Sequence, residues 1–271
     1  MPEGPEIHRA ADKLAKALVD RPLEHVAFGL ARLEDLGASL VGATPTAVEA
    51  WGKALLVRFD TGRVLYSHNQ LYGRWYVVRP NAWPRTKRSL RVDLRNGHRW
   101  SLLYSASEIE LLEADELGLH PYLAKLGPDL LHESTTPTRI EEQLDDKRFR
   151  GRALGGLLLD QGFLAGVGNY LRSEILFFAG LAPEVRPKDL SEAQRRTLAK
   201  LAKQVTLRSY RTGGTTEESS LAKDAKSRGE PRRLWRHAVF ARAGEACRRC
   251  GETIQRHEVA GRRLYRCLGC T

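Results

Sequence analysis

Apolar positions near the start of the chain recur at helical spacing. Ile7, Leu14 and Leu18 form one stripe with alanines between them, and Pro5 suits the first turn of a helix. The pattern predicts a helix that ends near Leu18, before Pro22.

Short segments rich in β-branched and aromatic residues follow this helix. Turn signals such as Asp60-Thr61-Gly62 and Asn96-Gly97 separate them. The segments predicted to be strands are 26–29, 46–51, 54–59, 64–68, 74–78, 90–94 and 100–104. Many short strands at this spacing are typical of an antiparallel β-sandwich.

The second half of the chain has a different pattern. Residues 137–210 favour helices, with runs at 139–144 and 190–207 and no long strand. Residues 212–230 are polar and rich in Gly, Ser and Lys, which predicts a mobile loop. We therefore predict an α+β multidomain chain with four parts: an N-terminal helix with an antiparallel β-sandwich at 1–125, a helical domain at 126–215, a mobile basic loop at 216–236 and a C-terminal β-hairpin module at 237–271.

Composition agrees with a globular protein in the cytosol. Of the 271 residues, 42% are hydrophobic and 28% are charged, and no apolar run approaches the length of a membrane-spanning helix. The first residues are acidic and contain proline, whereas a signal peptide would be basic and then apolar. We expect no membrane association.

Positive charge is concentrated near the end of the chain. The net charge is +11, and residues 223–271 carry thirteen Lys/Arg and five Asp/Glu, a net of +8. A basic concentration indicates a polyanion, and a membrane would require a basic amphipathic helix that this stretch does not show. Because Trp235, Phe240 and Tyr265 stand among the arginines, nucleic acid is a better prediction than a solvated tail.

The cysteines form two Cys-x2-Cys pairs separated by sixteen residues: Cys247, Cys250, Cys267 and Cys270. This is the spacing of a four-thiolate zinc site. Two disulfides are the alternative, but cytosolic thiols are kept reduced. We predict one structural Zn²⁺ that has no open position for water and therefore no catalytic role.

The N-terminus offers an unusual nucleophile. Removal of Met1 would leave the secondary amine of Pro2, and an α-amine with a pKa near 8 is partly unprotonated at neutral pH. Such an amine can attack a sugar carbon and form an iminium ion, with Glu3 as acid and base. The alternative is an ordinary helix start whose carboxylates complement the helix dipole.

Two further motifs each allow two interpretations. Lys53, in Trp51-Gly52-Lys53, lies between two predicted strands and is either a solvated charge or a group that binds phosphate or protonates an oxygen. Asn169 follows two glycines and opens a helix, whose free N–H groups can hold a phosphate or simply form a capped turn.

Taken together, these motifs resemble one family. The start Pro2-Glu3-Gly4-Pro5-Glu6, the pair Gly52-Lys53, the turn Gly168-Asn169 and the four-cysteine finger occur in the order found in the formamidopyrimidine-DNA glycosylase and endonuclease VIII superfamily. The resemblance covers essentially the whole chain. It implies a helix-capped β-sandwich, a helix–two-turn–helix domain and a zinc finger.

The resemblance also implies residue roles. Pro2 matches the Schiff-base nucleophile, Glu3 its proton donor and acceptor, Lys53 the lysine of β-elimination and Asn169 an asparagine that grips phosphate. Arg262 matches the finger arginine assigned to phosphate binding and δ-elimination.

The assignment of Arg262 depends on its position five residues before Cys267, since Arg263 stands beside it. Lys125 stands where the endonuclease VIII pattern commonly has a DNA-contacting arginine, so a phosphate contact is expected there without bidentate geometry.

Residues 66–73 resemble the wedge of endonuclease VIII, as do residues 103–107. Gln70, Leu71 and Tyr72 would fill the gap that a flipped base leaves in the duplex. The purine-specific branch typically has a methionine in its wedge, and the only methionine here is Met1. The alternative is a strand end that packs Leu71 and Tyr72 into the core.

The resulting hypothesis is a bifunctional DNA glycosylase and AP lyase of base excision repair. It would excise oxidised pyrimidines through a Schiff base at Pro2 and cleave the strand by β,δ-elimination without a catalytic cofactor. The expected partner is damaged double-stranded DNA, and a monomer in the bacterial cytoplasm is expected. The alternatives are an oxidised-purine glycosylase and a non-catalytic protein that binds damaged DNA.

Overall fold

The computed structural model of the protein describes residues 2–271, which form two compact units. The sandwich unit comprises Pro2 and Glu6–Lys125, and the helical unit comprises Glu3–Pro5 and Leu126–Thr271. Within the described part of the chain, no helix has the length and apolarity needed to cross a membrane.

Helix α1 (Gly4–Leu18) occupies the predicted position. Its apolar stripe, which includes Ile7, Leu14 and Leu18, belongs to the same buried cluster as residues from both sheets of the sandwich unit. Burial of this stripe, at about 25 cal/mol per Å² of apolar surface, holds the helix against the sandwich.

Eight strands of the sandwich unit form two antiparallel four-stranded sheets. The first sheet has the order β1-β6-β7-β5 and the second has the order β2-β3-β4-β8. The strands are β1 (His25–Phe28), β2 (Pro45–Trp51), β3 (Ala54–Phe59), β4 (Arg63–His68), β5 (Arg74–Val78), β6 (Leu90–Arg95), β7 (Trp100–Tyr104) and β8 (Glu108–Glu113). The predicted antiparallel β-sandwich is confirmed.

Strand β8 has no counterpart among the predicted strands. Its sequence alternates acidic and apolar residues, and Ile109 is fully buried. The strand lies at the edge of the second sheet, paired only with β4, where acidic side chains such as Glu108 and Glu110 remain at least partly in solvent. Glutamate is depleted in strands in general, so the sequence of β8 did not indicate a strand.

The helical unit contains the six remaining α-helices. They are α2 (Pro137–Asp145), α3 (Leu154–Leu157), α4 (Asn169–Ala179), α5 (Glu192–Thr212), α6 (Ser219–Ser227) and α7 (Arg232–Trp235). The helical character predicted for residues 137–210 is confirmed. Helix α4 is buried along most of its length, including the charged residues Arg172 and Glu174.

The segment predicted as a mobile loop contains a helix. Helix α6 covers nine residues, Ser219–Ser227, with Ala222 and Ala225 buried. The prediction of a loop is wrong for these nine residues, because two buried alanines at i and i+3 were too weak a pattern to indicate a helix among Ser and Lys residues.

The chain ends in a small finger. Strands β9 (Gln255–Val259) and β10 (Arg262–Arg266) form a hairpin, and its turn residues Ala260 and Gly261 both have positive φ, 54° and 66°. Such a turn matches the twist of the two strands. The predicted C-terminal β-hairpin module is therefore confirmed.

Candidate active site

Glu3 is anchored at the N-terminus of helix α4, within the helical unit. Its Oε2 accepts hydrogen bonds from the N–H groups of Gly168 and Leu171 at 2.8 and 3.2 Å, and Oε1 accepts from Tyr170 at 2.8 Å. Three backbone donors and the positive end of the helix dipole stabilise the ionised carboxylate. Glu3 is therefore a buried, fixed charge next to the half-buried Pro2.

Gly168 is required by this arrangement. A Cβ atom at this position would lie 2.4 Å from Cδ of Glu3, which is far below van der Waals contact. Gly168 thus makes room for a carboxylate of the same chain. The N–H groups of Tyr170 and Leu171, expected to be free for a phosphate, are already donated to Glu3. A phosphate at this helix end could therefore not be bound by these two N–H groups.

Arg172 is a site residue that the sequence analysis did not single out. Its side chain is fully buried, and it donates to the carbonyl oxygens of Gly155, Val259, Arg262 and Arg263. Burial, followed by the charge of Arg262, lowers the pKa of Arg172 to about 10, and Glu3 opposes the shift. The guanidinium remains charged at neutral pH.

Through Arg172, the predicted residues Asn169 and Arg262 are held in one network. Nη2 of Arg172 donates to Oδ1 of Asn169 at 3.3 Å and to the backbone oxygen of Arg262 at 3.3 Å. The side chain of Arg262 is exposed. The signal that could have revealed Arg172 is a cation in a helix that is buried along most of its length, since such a charge is almost never buried without partners.

In the sandwich unit, Lys53 is not a solvated surface charge. It is 9% exposed, lies in the turn between β2 and β3, and its N–H donates to Oη of Tyr122 at 3.2 Å. Burial lowers the pKa of His68, Glu108 raises it, and the charge of Lys53 lowers it. Lys53 and His68 are therefore electrostatic neighbours.

Glu108 joins this lysine region to the predicted wedge. Its Oε2 lies 3.1 Å from Nδ1 of His68, and its Oε1 accepts a hydrogen bond from the amide of Gln70. Oγ of Ser107 donates to Oε1 of Gln70 at 3.0 Å. Gln70 was predicted from the sequence, whereas Glu108 was not, because it lies on β8, which is not among the predicted strands.

The predicted wedge is a tight, exposed turn. The N–H of Gly73 donates to the oxygen of Asn69 at 2.7 Å, and a Cβ at Gly73 would lie 2.5 Å from that oxygen. Gln70 has a φ of 48°, and Leu71 and Tyr72 are 56% and 68% exposed. The alternative in which Leu71 and Tyr72 pack into the core is excluded.

Lys125 lies at the end of a short 3-10 helix, Leu123–Lys125, and is exposed. Its N–H donates to the oxygen of Tyr122 at 3.3 Å. The expected phosphate contact of Lys125 stays a prediction.

The four cysteines converge as a metal site requires. Their sulfur atoms all lie within 4.8 Å of one another, and none of the four forms a disulfide. The separations include 3.2 Å for Cys250–Cys267 and 3.9 Å for Cys247–Cys270. Four ligands at 2.3 Å in a tetrahedron would be separated by about 3.8 Å, so these residues fit a thiolate-bound metal ion.

A second buried polar network starts at Glu174 on helix α4. Its carboxylate is fully buried and accepts from the N–H groups of Ala238, Val239 and Phe240, each at 2.8 Å, and from Oγ1 of Thr216. Burial raises the pKa of Glu174, and these four hydrogen bonds partly offset the shift. The network fixes the segment that leads into the finger.

His237 completes this network and makes it sensitive to acid. Nδ1 of His237 lies 2.7 Å from Oγ1 of Thr216, and burial lowers its pKa from 6.5 to about 3, with Arg236 and Arg232 adding to the shift. The folded state therefore binds fewer protons than the unfolded state between these values, so stability is lost as the pH falls from 6.5 towards 3.

We expect His237→Asn to reduce this acid sensitivity. Urea unfolding at pH 7 and pH 5 should show a loss of stability that is smaller in the variant by up to about 2 kcal/mol, because one protonation is removed. An identical pH dependence in both proteins would contradict the assignment to His237. His98→Asn, at an exposed turn, is the matched control.

Comparison with solved structures defines the class of fold. Over 99% of both chains, the protein superimposes on Lactococcus lactis formamidopyrimidine-DNA glycosylase, non-covalently bound to AP-site DNA, with a TM-score of 0.80 and 24% identity. The complex of the Lactococcus lactis protein with DNA containing an oxidised pyrimidine gives a TM-score of 0.81 and 23% identity, over 100% of this chain and 99% of that chain. The protein thus has the glycosylase fold that combines a β-sandwich with a helical domain and a finger.

Sequence relatives establish the family. Residues 1–105 match the formamidopyrimidine-DNA glycosylase N-terminal domain, and residues 126–220 match the H2TH domain of the same enzymes. Endonuclease 8 of Pectobacterium atrosepticum is 47% identical and that of Salmonella schwarzengrund is 46% identical, each over 270 residues that span 100% of this chain and 99% of the relative. The chain therefore belongs to the formamidopyrimidine-DNA glycosylase and endonuclease 8 family, as its motifs predicted.

Proposed function

We propose that this protein is a bifunctional DNA glycosylase and AP lyase of base excision repair that excises oxidised pyrimidines from duplex DNA. One observation carries the proposal. The carboxylate of Glu3 is buried and held by three N–H groups immediately after Pro2, so the position of an N-terminal amine would be fixed by the fold. A fixed amine beside a carboxylate suits covalent catalysis.

The proposed reaction begins with the free amine of Pro2, after removal of Met1. Its nitrogen attacks C1′ of the damaged nucleotide, the bond from C1′ to the base breaks, and the base leaves with a proton. The Pro2 nitrogen also loses its proton, and the sugar ring then opens: the C1′–O4′ bond breaks, O4′ takes up a proton, and an iminium forms between C1′ and the nitrogen. The iminium acidifies the C2′ proton, whose removal expels the 3′ phosphate by β-elimination. A second elimination expels the 5′ phosphate. Hydrolysis of the imine releases the sugar fragment and regenerates the amine.

The proposed proton transfers belong to Glu3 and Lys53. Glu3 would exchange protons at the sugar, and the buried Lys53 would donate or accept a proton during β-elimination. Asn169 and Arg262 would hold phosphates, with Arg262 also assisting the δ-elimination. Their shared link to Arg172 supports a common function.

The proposed substrate is damaged double-stranded DNA. The net charge of +11 suits binding to its phosphates, and the exposed wedge suits insertion into the duplex. Gln70, Leu71 and Tyr72 would fill the gap left by the flipped base, and Lys125 would contact a phosphate. The metal at the four cysteines is proposed to be Zn²⁺ in a structural role, and the proposed reaction uses no catalytic cofactor. We further propose that the protein acts as a monomer in the bacterial cytoplasm.

Borohydride trapping tests the proposed function. Duplexes that contain dihydrouracil or 8-oxoguanine are incubated with the protein and borohydride, which reduces an imine to a stable covalent adduct. We expect a strong adduct with dihydrouracil. An adduct with 8-oxoguanine alone would place the protein among oxidised-purine glycosylases, and no adduct with either duplex would favour a non-catalytic binding protein.

The wedge makes a separate prediction. Replacement of both Leu71 and Tyr72 by alanine should slow dihydrouracil excision by about 10- to 100-fold, because a few kcal/mol of stacking is lost. Thermal stability should change little, since both side chains are exposed. Excision by Leu119→Ala, which removes a side chain that is 84% exposed in the same unit, should match the wild type. Unchanged excision by the double variant would exclude the wedge role.

A further inference from the structure

A second basic region lies in the sandwich unit, in addition to the basic region near the end of the chain. Residues 74–99 carry eight Lys/Arg and one Asp, a net charge of +7. Outside this segment and residues 223–271, the chain carries a net charge of −4, so these two segments account for all of its positive charge. The proposed function uses none of the basic residues in 74–99.

The centre of this region is a connection that we name the strap, residues 79–89. It joins β5 to β6, which are separated in the first sheet by β7. Val78 pairs with Trp100 at one end of β7, and Leu90 pairs with Tyr104 at the other. The strap therefore spans the length of β7, on the face where Trp100 lies outside the core cluster between the sheets.

An aromatic and cationic contact anchors the strap. The rings of Trp83 and Trp100 lie 5.0 Å apart, and the guanidinium of Arg95 lies 5.0 Å and 4.0 Å from their centroids. Asp93 binds Arg95 through two hydrogen bonds of 2.8 and 2.6 Å. The strap is thus a fixed surface, with Trp83 half-exposed.

The other cations of residues 74–99 do not form ion pairs with carboxylates in the part of the chain that the structure describes. Of the eight, Arg95 alone pairs with a carboxylate among the residues that the structure describes. Four of the others, all exposed, lie on the strap: Arg79, Arg85, Lys87 and Arg88. Like charges at this density repel one another, which favours a polyanionic partner.

The strap is continuous with the wedge. Strand β5 starts directly after Gly73, and Nη1 of Arg88 donates to the carbonyl oxygen of Tyr72. The five residues of β5 separate the wedge from Arg79 by about 16 Å, which is the length of about five base pairs. Phosphates beside a base displaced by Leu71 and Tyr72 would therefore be within reach.

We propose that the strap is an additional DNA-binding surface that contacts phosphates flanking the lesion. This inference rests on the proposed function, because it assumes that the wedge enters damaged DNA. The strap would contribute affinity without sequence preference, since its exposed cations suit phosphates and not base edges.

The dependence of binding on salt tests this proposal. The dissociation constant for a 25-base-pair duplex with a central tetrahydrofuran abasic analogue is measured by fluorescence anisotropy between 50 and 250 mM KCl. The strap variant is Arg85→Gln/Lys87→Gln. The charge-matched control is Lys13→Gln/Lys16→Gln, on the exposed side of α1.

Loss of two phosphate contacts should reduce the slope of log Kd against log salt by up to about 1.8 in the strap variant, and the control should keep the wild-type slope. Equal slopes in the strap variant and the wild type, or equal losses in the strap and control variants, would overturn the proposal. A wild-type protein that does not prefer the lesion duplex to an undamaged one would instead count against the proposed function. Unchanged thermal melting of both variants excludes misfolding as the cause.

Discussion

A residue retained in front of Pro2 is expected to abolish borohydride trapping, with a loss of activity on the order of 10³-fold or more. The proposed nucleophile is the α-amine, and an amide nitrogen in its place has no available lone pair. An N-terminal extension would also be attached at Pro2, which is half-buried and is followed directly by the fixed Glu3, so little space is available for it. The measurement is adduct formation on a dihydrouracil duplex by a protein with a protease-cleavable N-terminal extension.

Cleavage of the extension supplies the control. Trapping should return when the protease exposes Pro2, because the rest of the chain is unchanged. Pro2→Gly, with its methionine removed, should retain part of the trapping, since glycine supplies a primary amine. Full trapping by the uncleaved protein would exclude Pro2 as the nucleophile and direct attention to the buried amine of Lys53.

Replacement of Glu174 by alanine is expected to destabilise the helical unit by about 3–5 kcal/mol, since each buried donor left unsatisfied costs about 1–3 kcal/mol. The substitution removes the acceptor of three backbone N–H groups and of the Thr216 hydroxyl. Water cannot replace this acceptor at the surface, because Glu174 is fully buried. Buried donors left without an acceptor carry most of this cost. Urea unfolding of the whole chain at pH 7 gives the free-energy difference.

Glu184→Ala is the matched control for this measurement. Glu184 forms an ion pair with Arg266 at 3.0 Å, but its side chain is 70% exposed. An exposed pair of this kind contributes between about 0 and 1 kcal/mol. Similar losses in the two variants would contradict the structural importance assigned to the Glu174 network.

Local patterns predicted the fold well where each element carried its own signal. The spacing of Ile7, Leu14 and Leu18 predicted α1, and the seven predicted strands of the sandwich correspond to β1–β7. Strand β8 and helix α6 were missed because their character depends on tertiary position. An acidic edge strand and a short helix with two buried alanines carry weak periodicity.

The candidate site was only partly predictable from the sequence. Resemblance identified the residues proposed to touch DNA, but the groups that position them were not visible. Arg172 contacts backbone oxygens 17 to 91 residues away in the chain, and Glu174 contacts backbone N–H groups 64 to 66 residues away. Contacts at such separations arise from the packing of elements, so no local pattern reports them.

The contacts of Arg172 have a consequence for how the finger can vary. The guanidinium grips the hairpin only through the main-chain oxygens of Val259, Arg262 and Arg263. Every amino acid presents such an oxygen, so this grip does not depend on the side chains at positions 259, 262 and 263. Other side chains of the hairpin do contribute to its attachment, because Leu264 is buried in the core of the helical unit. The placement of position 262 is therefore separate from the chemistry of its side chain, so a substitution of Arg262 should remove the proposed phosphate contact and leave the hairpin in place.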